Sequence, residues 1–284
     1  MRVSKRLGLA GLSPALCALV LGCTESATSP AAPHLQASPS VSTAGLTGRI
    51  VYTTGTVHIY DLATATDISL AVSGVNPKFS PDGKLITYQN GGVKVMNSDG
   101  TNQRILSASG GTPSFDPTGK MIAFSNNGIW KINVDGMGLT QLTADGGHWP
   151  AWSPDGTQIA YGAAVGSVQQ LFIINAADGG NRHQALTSGA VIDVVWQPSS
   201  KVLMGISNGN YDLYSYDPAN PSSLTRLTTS KANDFEPSWS PDGTQVSWTS
   251  GTSGSTSGIW SMNADGTGKQ GPVIPKGRQG SWGR

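Results

Sequence analysis

Short apolar runs, each closed off by turn residues, recur along this chain, and no stretch of helical period stands out beyond its first few dozen residues. The clearest unit is Pro237-Ser238-Trp239, then Ser240-Pro241-Asp242-Gly243, then Thr244-Gln245-Val246-Ser247-Trp248. Pro77 to Tyr88 and Pro150 to Tyr161 repeat it almost residue for residue, and Pro113 to Gly119 and Val194 to Ser200 are looser copies. The aromatic ahead of each turn falls at Phe79, Phe115, Trp152, Trp196, Trp239 and Trp282, in steps of 36, 37, 44, 43 and 43 residues. A type I turn favours Ser or Asp first, Pro second and Gly fourth. Ser80 to Gly83, Asp116 to Gly119, Ser153 to Gly156 and Ser240 to Gly243 all fit, and the flanking apolar runs make each a hairpin. A repeated carboxylate could suggest catalysis or metal binding, but its fixed place inside the turn marks it as a turn former.

Each unit carries two further strands. The third is the kind seen in Ile129-Trp130-Lys131-Ile132-Asn133 and Ile259-Trp260-Ser261-Met262-Asn263, usually followed by an Asp-Gly turn such as Asp135-Gly136 or Asp265-Gly266. The fourth is short, as in Thr140 to Thr143 or Thr225 to Thr228. Four antiparallel strands in a unit of about 40 residues make a propeller blade. Arg49 to Tyr52, Val57 to Asp61 and Ile68 to Leu70 supply a second, third and fourth strand with no first, and Gly280 to Gly283 supply a first strand with nothing after it. The chain is therefore expected to be all-β, a six-bladed β-propeller of four-stranded antiparallel blades whose ring closes by pairing the C-terminal strand with the N-terminal strands. Closure hides both sheet edges. The six repeated aromatics read as packing between blades. So does a second set, Tyr52, Tyr88, Phe124, Tyr161 and Trp248, in which Gly205 is the exception that leaves the fifth blade less well packed.

Composition agrees with many turns and little helix: 284 residues include 37 Gly and only 12% charged side chains. A net charge of +1 leaves no electrostatic footprint for nucleic acid. Arg2, Lys5 and Arg6 precede a mostly apolar segment, Leu7 to Leu21, too short and too interrupted by Pro14 to span a membrane. It ends in Val20-Leu21-Gly22-Cys23, which resembles the lipoprotein signal box of bacteria. Residues 1–22 are then a signal peptide, and Cys23 is the lipidated residue. Residues 23–46, rich in Ser, Thr, Ala and Pro, form a flexible tether, and residues 47–284 form the propeller. The other cysteine, Cys17, lies in the signal segment, so the folded body has no disulfide. Thr24 follows Cys23 where inner-membrane retention uses Asp, so the resemblance points to an outer-membrane lipoprotein of the bacterial envelope.

The Pro-x-aromatic-Ser-Pro-Asp-Gly unit, with its apolar strand, Ile-Trp-x-Met-Asn strand and Leu-Thr ending, resembles the TolB-type propeller repeat across nearly all of residues 48–284. In that family a six-bladed propeller follows an α/β domain and binds partners in the bacterial periplasm. Similar repeats also stand ahead of serine peptidase domains. The resemblance thus implies the fold and a binding role rather than a reaction. No zinc-ligand spacing or nucleophile elbow appears among the four histidines and two cysteines, and neither cofactor nor metal is implied. The Pro-Asp-Gly and Asp-Gly turns share one face of the disc and are nearly uniform, whereas the opposite loops differ from blade to blade. Diverse loops on a rigid scaffold are where binding usually resides. His148, Trp149, Asp193, Asp234, Phe235, Glu236 and Arg278 are the candidates there, near the channel mouth. The expected function is a non-catalytic, monomeric module that binds protein or peptide partners. The alternatives are an envelope glycan binder using Trp149 and Phe235 as stacking surfaces, and a propeller hydrolase or lyase.

Overall fold

The computed structural model describes residues 35–37, 45–251 and 257–284. Cys23, the signal segment, His34 and residues 252–256 lie outside them. Among the described residues all regular structure is strand, and no helix is long and apolar enough to cross a membrane. The strands form six antiparallel sheets. The innermost strands of blades one to six are Arg278–Gly283, Val75–Phe79, Gly111–Phe115, His148–Trp152, Ala190–Trp196 and Asn233–Trp239. Each inner strand touches the inner strand of the next blade all the way round, so the six sheets make a closed ring.

Closure occurs where the repeat required it. Arg49 pairs with Gly283, Ile50 with Trp282 and Val51 with Ser281. Trp282 Nε1 donates to the carbonyl of Thr47 at 2.8 Å, and Arg49 Nε donates to the carbonyl of Arg284 at 2.9 Å. Chain ends that would otherwise expose two unpaired sheet edges thus satisfy each other. A fifth strand, Leu35–Ala37, pairs with Thr66–Ser73 on the outer side of blade one, within the stretch expected to be a tether.

The repeated turns explain themselves. In blade two, the Gly83 N–H donates to the Ser80 carbonyl at 2.8 Å, while Ser80 Oγ donates to Asp82 Oδ1 at 2.7 Å. Ser153 with Asp155 and Ser240 with Asp242 repeat the side-chain bond at 2.6 Å each. These aspartates are spent holding their own turns. Gly83 takes φ +71°, a conformation that side-chain-bearing residues adopt at a cost.

The second aromatic set packs by a device the repeat does not advertise. A Cβ added to Gly74, Gly147 or Gly277 would stand 2.7, 2.7 or 2.5 Å from a ring carbon of Tyr88, Tyr161 or Tyr52. Gly110 meets Phe124 in the same way at 2.8 Å. The glycine is a hollow for the ring. In blade five the two are exchanged: Val191 occupies the glycine position and Gly205 the aromatic one. Ile192 fills the gap, because a Cβ on Gly205 would meet its Cγ1 at 2.8 Å. Val191 and Ile206 are fully or almost fully buried there, so blade five is not the loosely packed blade that Gly205 alone suggests.

The inner strands also begin earlier than the turn pattern predicts. Asp193, Asp234, Phe235, Glu236 and Arg278, expected in inter-blade loops, all lie on inner strands. Gly162 to Gln169 is the end of a long hairpin, Gln158–Val165 with Val168–Asn175.

Candidate functional site

Three residues before each repeated aromatic, every inner strand turns left-handed. Asn76, Thr112, Trp149, Asp193, Glu236 and Gln279 have φ between +47° and +56°. None is glycine, so each costs on the order of 1 kcal/mol or more. The pairing register slips at the same place in all six blades, which makes each a β-bulge. In four blades the next residue is proline (Pro77, Pro113, Pro150, Pro237), which a bulge on an edge strand accommodates because no ladder hydrogen bond is lost there.

The bulge residues are wired to one another around the axis. The Glu236 N–H donates to Asp193 Oδ2 at 3.1 Å, the Gln279 N–H to Glu236 Oε2 at 2.8 Å, and the Asn76 N–H to Gln279 Oε1 at 2.9 Å. Gln89 Oε1 accepts from Asn76 Nδ2 at 3.2 Å and from the Thr112 N–H at 3.4 Å, and Thr112 Oγ1 accepts from the Trp149 N–H at 3.4 Å. Every bond but the one from Asn76 Nδ2, which lies within its own blade, runs from one blade's backbone to an acceptor in the blade before it. Trp149 interrupts the relay, because an indole offers no acceptor.

These residues floor an axial cavity of about 420 Å³. Its walls rise past the repeated aromatics to Pro81, Pro117, Pro154, Pro198 and Pro241, so it opens on the face of the Pro-Asp-Gly turns. The aromatics therefore have two roles. Phe79, Phe115, Trp152, Trp239 and Trp282 are buried between blades, Trp196 is half-buried, and all six edge the cavity.

The floor is charged on one side. Burial raises the Asp193 carboxyl to about 7, and repulsion from Glu236 adds to the rise against the bond from the Glu236 N–H and the attraction of Lys78. Glu236 is raised as well, chiefly by burial, although Thr249 Oγ1 donates to it at 2.8 Å and Arg278 acts on it from a distance. Lys78, one turn of the pleat nearer the mouth, is lowered by burial against the pull of both acids. No carboxylate lies within 4 Å of its ammonium among the described residues.

The structure brings three of the sequence-derived candidates to this cavity: Trp149, Asp193 and Glu236. His148, Asp234, Phe235 and Arg278 are not part of its lining. His148 is exposed with its ring centroid 5.4 Å from that of Trp149, and Arg278 is exposed beyond the floor. Asp234 is buried, taking the place of the glycine hollow in blade six. Its Oδ1 accepts from Trp248 Nε1 at 3.0 Å and its Oδ2 from Ser230 Oγ at 3.1 Å. Phe235 is half-buried on the same strand. Lys78, Asn76, Thr112 and Gln279 belong to the site and carry no motif that singles them out. Among the described residues no three His, Cys, Asp or Glu side chains gather as a metal would require.

A closed ring of six blades around an axial cavity is a six-bladed β-propeller. The sequence profile of the TolB beta propeller domain matches residues 147–278, just under half of the chain. A TolB homolog of Chlorobium luteolum is 37% identical over 103 residues, a stretch covering 36% of this chain and 23% of that protein. The solved TolB of Acinetobacter baumannii superposes with a TM-score of 0.70 at 20% identity, over 83% of this chain and 66% of that one. An oligogalacturonate lyase from Vibrio parahaemolyticus shares the fold more distantly, with a TM-score of 0.54 at 11% identity over 76% of this chain and 70% of that one. The chain thus spans under a quarter of its curated relative.

Proposed function

We propose that this propeller is a non-catalytic binding module, held at the bacterial envelope by lipid on Cys23, that takes a protruding segment of a protein or peptide partner into its axial cavity. The observation that carries the reading is the cavity itself: an opening rimmed by prolines and aromatics from successive blades above a polar floor. A volume of about 420 Å³ admits a few side chains and no folded domain, so a partner must offer a loop or a chain end. The rigid hydrogen-bonded floor keeps the site pre-formed, which lowers the ordering cost of binding. The TolB-like repeat and the signal box at Val20 to Cys23 support an envelope location.

A photo-crosslinking residue placed at Ser114, in the cavity wall, tests this in intact cells, with Ile105 on the outer strand of blade two as the control position. A discrete protein adduct from Ser114 and none from Ile105 is expected, in a membrane fraction that the chain leaves when Cys23 is replaced by Ser. Equal adducts from both sites, or retention on envelope glycan with no protein adduct, would overturn the protein-partner reading.

A further inference from the structure

We propose that the floor of the axial cavity binds a small zwitterion of the amino-acid type, its ammonium held by Asp193 and Glu236 and its carboxylate by Lys78. This rests on the cavity being the binding site and does not require the occupant of the rim to be a protein.

The chemistry follows from which atoms are already used. Asp193 accepts the Glu236 N–H through Oδ2, and Glu236 accepts the Gln279 N–H and Thr249 Oγ1 through Oε2. Asp193 Oδ1 and Glu236 Oε1 have no hydrogen-bond donor among the described residues, yet neither is sealed from the cavity space. Lys78 is enclosed by the inner strands, makes no hydrogen bond or ion pair, and presents its ammonium to the same space. Two open acceptors and one open donor group therefore face one small volume.

Charged groups removed from bulk water without partners are costly, and a complementary ligand recovers that cost. The sign of the ligand is constrained from both sides. A simple cation placed against the two carboxylates would stand near the Lys78 ammonium, and a simple anion placed against Lys78 would face the carboxylates. Only a molecule carrying both charges sets each against its opposite. The order along the axis fixes its orientation. Lys78 lies one residue before its repeated aromatic and the acids three before theirs, so Lys78 is nearer the mouth. The ammonium end enters first. Asp193, Glu236 and Lys78, with the more distant Arg278, set the field at the floor, and Asp116 and Arg284 line the cavity beside the repeated turns and the closing strand.

Calorimetric titration of the full chain with glycine, 4-aminobutanoate and 6-aminohexanoate tests the idea, against butylammonium and butanoate as single-charge probes. At pH 8 the best of the three zwitterions is expected to bind at least about tenfold more tightly than either single-charge probe, a difference set by the opposite-charge contacts. Binding should weaken at pH 5, where Asp193 is protonated. Lys78→Met should lower zwitterion affinity by about tenfold and tighten butylammonium if it changes it at all, because the anionic end loses its partner while the cation loses a repelling neighbour. Glu236→Gln should weaken both, with thermal melting confirming that each variant folds. No zwitterion binding, equal binding of butylammonium, or an unchanged Lys78→Met would overturn the proposal. A protein adduct at Ser114 without zwitterion binding sinks this inference alone. Zwitterion binding without an adduct upholds it and sinks the protein-partner reading.

Discussion

Two positions on each inner strand, three residues apart, behave in opposite ways. The outer one is aromatic in every blade: Phe79, Phe115, Trp152, Trp196, Trp239 and Trp282. The inner one is different in every blade, Asn76, Thr112, Trp149, Asp193, Glu236 and Gln279, although its backbone is the same left-handed bulge in all six. Where side chain and backbone both repeat, the residue packs one blade on the next. Where the backbone repeats and the side chain does not, no single packing role is shared and the residue lines the axial cavity. The difference separates scaffold from site within a single strand.

Removing one member of the uniform position should have the largest effect. Deleting Gly280 to Arg284 takes away the closing strand, including Trp282, whose side chain is buried and paired opposite Ile50. Losing one buried Trp typically costs about 3–5 kcal/mol, a large share of the roughly 5–15 kcal/mol that holds a domain together. A fall in Tm of about 10–20 °C is expected for a domain of this size, or loss of a cooperative transition. A melting curve that does not move would show that the ring does not depend on this strand.

That the scaffold is visible in sequence while the site is mostly hidden follows from the same contrast. Phe79 through Trp282 repeat because stacked sheets make the same demand at each step, and repetition is what a single sequence can display. The closing strand was legible because Arg49 to Tyr52 lacked a partner that only Gly280 to Gly283 could supply. Asp193, Glu236 and Trp149 were found because they flank the variable connections. Lys78 was not, since it sits inside one of the near-exact copies of the unit, between Pro77 and Phe79. Its signal was available: the same position holds Ser114, Ala151, Val195, Ser238 and Ser281, and a lone charge in a column of small or apolar residues is a departure that packing does not need. The bulge itself has no sequence signature. Its left-handed residues are not glycines, and backbone strain of this kind shows only in coordinates. Asp234 misled for the opposite reason. A carboxylate beside a channel suggests a ligand, but its partner is the Trp248 indole, a pairing that depends on the glycine hollow of the other blades.

The glycine hollows sharpen the comparison at a smaller scale. Gly147→Ala would set a Cβ 2.7 Å from Tyr161, whose hydroxyl is fixed by donation to Asp145 at 2.8 Å, and 3.1 Å from Ile129. The ring cannot retreat, and overpacking of this kind costs about 1–3 kcal/mol. Gly205→Ala meets instead the Ile192 side chain at 2.8 Å, which has rotamers to change, so its cost should stay below about 1 kcal/mol. Parallel urea melts give both numbers. Equal destabilisation would mean that blade five is built like the others and that the exchange of Val191 and Gly205 is incidental.

Asp193→Asn probes the variable position alone and should change stability least at low pH, where the carboxyl it replaces is also neutral and an amide oxygen can still accept the Glu236 N–H. Its signature is a slope. The Asp193 carboxyl titrates near 7 in the folded chain against 3.8 as its ordinary value, so between these limits the folded state holds a proton that the unfolded state releases. Stability from this group is therefore fullest below about pH 4, falls as pH rises toward 7, and is flat above. Glu236 is shifted in the same sense and steepens the trend, while Lys78, lowered from 10.5, acts with the opposite sign. Denaturation midpoints measured from pH 4.5 to 8 should decline for the wild type and decline distinctly less for Asp193→Asn. Matching Phe79→Leu against it completes the contrast, since a packing residue lowers the whole curve without changing its slope. Parallel curves for the wild type and Asp193→Asn would place the charge outside the buried floor and return Asp193 to the solvated rim.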